Sequence, residues 1–136
     1  MIIRRRLIES MKQSRLNHVI EMIRKEKEPE NTKEWINLLK AIRSKHLYVE
    51  MNENKIMVVS DKQNYHYYLL YLQKQKGNMQ KIDFVTIEER ARENDISLLI
   101  CISKEESQCL LLEEPSGFFY FSKKIVDDEN NTIIVI

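Results

Sequence analysis

The chain has 136 residues, 43% of them hydrophobic, and a formal net charge of +1. That length suits a single domain, 1–136, with a core of its own, and two cysteines, Cys101 and Cys109, are too few for a disulfide scaffold and lack zinc-ligand spacing. No apolar run approaches the roughly 18 residues of a membrane span, and MIIRRRLIES lacks the apolar stretch of a signal peptide, so a soluble cytoplasmic protein with no membrane partner is expected.

Leu7, Ile8, Met11, Leu16, Val19, Ile20 and Ile23 form one stripe at helical spacing, broken only around residues 13–15, which predicts a first helix over 3–26. Pro29 ends the pattern, because a proline disfavours helix in the residue before it. Arg4, Arg5, Arg6 and Arg15 lie largely off the stripe, so residues 1–27 read as a basic amphipathic helix suited to docking or to homodimer formation. A second helix starts at Asn31, an N-cap with Glu34 at the capping-box offset, and Trp35, Ile36, Leu38, Leu39 and Ile42 supply its apolar face.

Strand signals follow at 46–51 and 55–60, with NEN as the turn between them. YHYYLLYLQ, 65–73, carries apolar groups on both faces and reads as a central strand covered on both sides. IDFV, 82–85, reads as a short strand, with Thr86 capping a helix over 87–94 and Glu89 completing a capping box. Further strands are expected at 98–102, 109–113, 118–122 and 132–136. Helices at the start and middle with runs of strands between them define an α+β fold, its sheet mostly antiparallel or mixed.

The charge is uneven. Residues 1–27 hold eight Lys/Arg against three Asp/Glu, whereas 104–131 hold three against seven. A dipolar molecule of this kind can steer a charged partner. The two candidate surfaces are Arg4, Arg5, Arg6 and Arg15 at the basic end, and Glu113, Glu114, Asp127 and Asp128 at the acidic end.

Catalytic signatures are sparse. His18, His46 and His66 have no nucleophile and carboxylate at triad spacing, and there is no P-loop, GxGxxG or nucleophile elbow. Asp127, Asp128 and Glu129 lack the alternating spacing of a calcium loop, so neither metal nor cofactor is expected. The run YHYYLLYLQKQK mixes rings with lysines, as single-strand binders do, but a sequence pI near 7.7 is low for a nucleic-acid domain.

TKEWINLLKAIRSKHLYVEM, followed about thirty residues later by IDFVTIEE, resembles the N-terminal domain of the SseB family over roughly residues 31–112. Leu38-Leu39 with Leu47-Tyr48-Val49 is similar to that family's helix-to-strand junction, and Phe84-Val85-Thr86 with Glu88 or Glu89 to its later strand-to-helix junction. The family's Asn-Pro after a later strand is replaced here by Ile102-Ser103, and its proline after the first strand is missing. The resemblance implies an α/β domain without established catalysis. The expected function is non-enzymatic protein binding that occludes or tethers a partner, of immunity, inhibitor or regulatory adaptor type; the alternative is nucleic-acid binding through the basic first helix. Abundant Lys, Glu, Asn and Ile with little Gly, Ala or Pro suggests a low-GC bacterium or its phage.

Overall fold

The computed structural model describes residues 15–27, 30–113, 117–127 and 132–135. Three helices and nine strands occur among them: α1 (15–25), α2 (Thr32–Arg43), β1 (His46–Asn52), β2 (Lys55–Ile56), β3 (Val58–Ser60), β4 (His66–Tyr71), β5 (Met79–Asp83), α3 (Phe84–Asn94), β6 (Ser97–Cys101), β7 (Gln108–Glu113), β8 (Phe118–Asp127) and β9 (Thr132–Val135). This is an α+β fold on a mixed sheet. Within α1, Leu16, Val19, Ile20, Met22 and Ile23 are buried against the sheet. The stripe from Leu16 to Ile23 is therefore covered within the chain; Leu7, Ile8 and Met11 lie outside the described residues.

The start of α2 agrees with its capping signal. The Asn31 side chain accepts the Glu34 N–H at 3.0 Å. Glu34 reaches back, but to the Glu30 N–H at 2.6 Å, one residue earlier than in a capping box. Leu38 and Ile42 are buried, while Ile36, expected on the same face, is 45% exposed. Trp35 packs on Phe121 of β8 with ring centroids 6.2 Å apart, which seats the helix on the sheet.

The segment 82–85 differs from its sequence reading. The helix begins at Phe84, because Phe84, Ile87 and Ala91 share one face and all are buried; Thr86 lies inside it. Asp83 is the N-cap residue, yet its side chain caps nothing. Its carboxylate lies 2.8 Å from Nε2 of His46, its register partner across β1 and β5. At the other end Asp95 adopts the left-handed conformation (φ 54°) and its N–H returns to the Ala91 carbonyl. Residues 55–60 split into two strands at Met57, whose N–H donates to the Glu50 carbonyl at 2.9 Å before the chain turns to pair with β4. The strand expected to stop at 122 runs on to Asp127.

Pairing follows the order β2-β1-β4-β3-β9-β8-β7-β6, with β5 added to β1. β4 also pairs with β6 in parallel, Tyr67↔Ser97 through Tyr71↔Cys101. Six strands thus close a ring: β4, β6, β7, β8, β9, β3 and back to β4. One register pair, Ser60↔Thr132, makes the β3–β9 seam. The ring explains the two cores. On one face Val49, Tyr68, Leu70, Leu98, Ile100 and Leu110 pack under the helices. On the other, Val59, Tyr67, Leu69, Tyr71, Leu99, Cys101, Cys109 and Leu111 form a second cluster with no helical member. Leu99 and Cys101 are fully buried there, and among the described residues it is the curl of the sheet that covers them.

Leu70 and Ile100, paired on β4 and β6, are fully buried on the helix side. Leu70→Ala or Ile100→Ala should each lower unfolding free energy by about 2–5 kcal/mol. Ile36→Ala should stay within about 0.5 kcal/mol, as surface changes do. Urea denaturation of the three variants checks the contrast.

Candidate functional site

Three of the eight residues of the two predicted surfaces, Arg15, Glu113 and Asp127, lie among the described residues. Arg15 is exposed on α1. Glu113 is exposed at the end of β7, opposite Phe118, whereas Asp127 closes the far end of β8. Nine strand residues at about 3.3 Å each put roughly 30 Å between those two positions. Glu113 and Asp127 thus stand at opposite ends of the β7–β8 ladder. Arg4, Arg5, Arg6, Glu114 and Asp128 lie outside the described residues.

Arg15 joins residues that the sequence did not place in either candidate surface. Arg15, His18, Val19 and Met22 of α1 face Glu34, Asn37, Leu38, Lys40, Ala41 and Ser44 of α2 and its C-cap across an open groove of about 800 Å3. Val19, Met22 and Leu38 are buried and Ala41 is half-buried, so the floor is apolar; Arg15, His18 and Lys40 are exposed on the rims. The signal was present as a second stripe on α2: Glu34, Asn37, Leu38 and Ala41 recur at i, i+3, i+4 and i+7. It was hidden by the stronger stripe of Trp35, Leu38, Leu39 and Ile42.

Other cations nearby are engaged. Arg24 forms a two-pronged pair with Glu106, its Nε on Oε1 and its Nη2 on Oε2 at 3.1 Å. That guanidinium hydrogen bond, helped by the Ser103 hydroxyl, holds the Glu106 carboxyl below its ordinary range. Lys25 pairs with Glu21 at 3.1 Å and Arg43 with Glu88 at 3.6 Å. The side chains of Arg15, His18 and Lys40 have no ion-pair or hydrogen-bond partner among the described residues.

The β6–β7 loop is a second polar centre. Lys124, 2% exposed, extends Nζ to the carbonyls of Ser103 and Lys104 at 3.4 and 3.3 Å. Lys104 in turn contacts Glu50 at 2.8 Å and the Lys76 carbonyl at 2.9 Å. Beneath this loop Cys101 and Cys109 are register partners, both buried and both free thiols. Burial pushes both thiols up, Cys109 to about 12, against a smaller opposite pull from Lys124. Thiols held protonated in this way are poor nucleophiles.

At the β3–β4 hairpin the Ser60 hydroxyl lies 2.7 Å from His66 Nδ1, across a register pair. A hydroxyl beside an imidazole is a chemical pair that the sequence reading missed, because the partners are brought together by the hairpin. Asp61 does not orient that imidazole. Its Oδ1 accepts the N–H groups of Gln63 and Tyr65 at 2.9 and 3.0 Å, and its Oδ2 accepts the Tyr67 hydroxyl at 2.8 Å. Burial first, then this bond to Asp61, raise the Tyr67 phenol above its ordinary range. Among the described residues no three His, Cys, Asp or Glu side chains converge as metal ligands would, and no helix is long and apolar enough to cross a membrane. No protein-family model, curated protein or solved structure matches the chain.

Two outcomes follow. Asp61→Ala strands three donors at the hairpin and should cost about 1–3 kcal/mol in chemical denaturation. The thiols give an alkaline limit. Their folded values are raised, so the stability they contribute is complete below about pH 9, their ordinary value. It falls as pH climbs towards 12, because the unfolded chain then releases protons that the fold retains. Urea midpoints measured from pH 7 upward should decline past pH 9, and less steeply in Cys109→Ala.

Proposed function

We propose that this chain is a non-enzymatic protein-binding domain that occludes or tethers a partner, as an immunity factor, an inhibitor or a regulatory adaptor does. The observation that carries this reading is the groove between α1 and α2, an apolar floor with uncommitted cations at its rims. Protein interfaces are built in this way: a desolvated centre supplies affinity, and charges around it speed and orient the encounter. Arg24 and Glu106 hold one wall to the sheet through the β6–β7 loop, while Trp35 and Phe121 hold the other. Both walls are thus fixed in advance, which lowers the ordering cost of binding.

The same free cations favour a second reading, nucleic acid held by the basic helix. The two differ in their response to salt, because a ligand held mainly through phosphates loses affinity steeply as counterions compete.

Affinity capture from the cells that make the protein tests the proposal. Wild-type bait should retain a protein partner after nuclease treatment, and Arg15→Glu with Lys40→Glu should lose it while melting within a few degrees of wild type. Capture indifferent to the double reversal would remove the groove from the proposal. A nuclease-sensitive, salt-sensitive complex with generic DNA or RNA would replace the proposal with its rival.

A further inference from the structure

We infer that the partner element seated between α1 and α2 is an acidic amphipathic helix; this inference rests on the protein-binding reading above. The shape argument begins with the walls. Arg15, His18, Val19 and Met22 stand at i, i+3, i+4 and i+7 of α1, and Glu34, Asn37, Leu38 and Ala41 repeat that spacing on α2. Each wall is therefore about two turns long, roughly 11 Å at 1.5 Å per residue, and Ser44 lengthens the α2 side to about 15 Å. A groove of that length takes two to three turns of a third helix laid along it.

Backbone chemistry favours a helix over an extended strand. Both walls are helical, so their backbone donors and acceptors are largely used within the walls, and an extended peptide would find few partners for its own. A helix arrives with those groups already satisfied and presents only side chains. The floor of Val19, Met22, Leu38 and Ala41 matches an apolar face at the same spacing. Among the described residues that line it, none is an aromatic ring on which a base could stack.

Charge decides the rest. Arg15 and His18 stand on one rim and Lys40 on the other, all exposed and none engaged by a described residue. Arg24, Lys25 and Arg43, close by in the chain, are each paired with a glutamate. Among the described residues the one carboxylate at the groove, Glu34, accepts the Glu30 N–H at 2.6 Å. A helix with Asp or Glu flanking its apolar face would supply the missing counter-charges on both sides.

A display library of randomised 15-residue peptides, selected on the immobilised full chain, tests this. Enriched sequences should place apolar residues at i, i+3 or i+4, and i+7 with Asp or Glu on the flanks. A synthetic copy should gain helicity on binding and lose at least tenfold in affinity against Arg15→Glu with Lys40→Glu. That double variant keeps every floor residue, and circular dichroism checks that it folds. No enrichment over the bare surface, enrichment of basic or extended sequences, or indifference to the double variant would each overturn the inference. So would competition by a generic 20-nucleotide strand, or light scattering that shows two copies closing the groove on each other. A captured protein partner whose binding survives the double variant would end this inference and leave the protein-binding proposal intact.

Discussion

Everything in this fold answers to one buried strand. β4 is apolar on both faces, with Tyr67, Leu69 and Tyr71 on one side and Tyr68 and Leu70 on the other. A strand removed from water needs its backbone paired along both edges and both faces covered. β6 takes one edge in parallel register, and β3 and β1 share the other. The three helices cover one face. The opposite face carries no helix among the described residues; there the strands curl round to β9 and cover it themselves.

The polar centre at residues 103–107 turns that covering into a rigid frame. Lys124 enters a buried position on its long aliphatic stem and places its amine against loop carbonyls, where a shorter residue would leave them without a donor. The same loop supplies Glu106 to Arg24 and Lys104 to Glu50. α1 is thereby fastened to the sheet through a loop, whereas α2 rests on it through rings. Two helices anchored independently need not meet along their whole lengths, and the gap left between them is the groove.

Much of this architecture was legible because local patterns dictate it. The double-faced run 65–73 announced a central strand, and Asn31 with Glu34 announced a helix start; both agree with the structure. Thr86 looked like a cap because capping chemistry is local, yet the burial of Phe84 drew the helix start three residues earlier, from 87 to 84. Strand β8 was expected to end at Ser122, and only the tertiary position of the loop gives the Lys124 amine its partners. The ring pairings join segments distant in sequence, so no local pattern announced them. The site divides similarly. Arg15 was visible as a charge off the stripe, but Lys40, Asn37 and Ser44 matter only through where α2 lies against α1.

The seam between β3 and β9 has a bearing on how the molecule comes into being. Its partners, Ser60 and Thr132, are about 70 residues apart. On a ribosome, the nascent chain would have extruded β4, β6 and β7 well before the strand that completes the enclosure emerged. Until then the side carrying Tyr67, Leu69 and Leu99 would be wet, apolar and open to chaperones or to neighbouring nascent chains. Productive folding thus hinges on a late, long-range closure, with β9 as the latch.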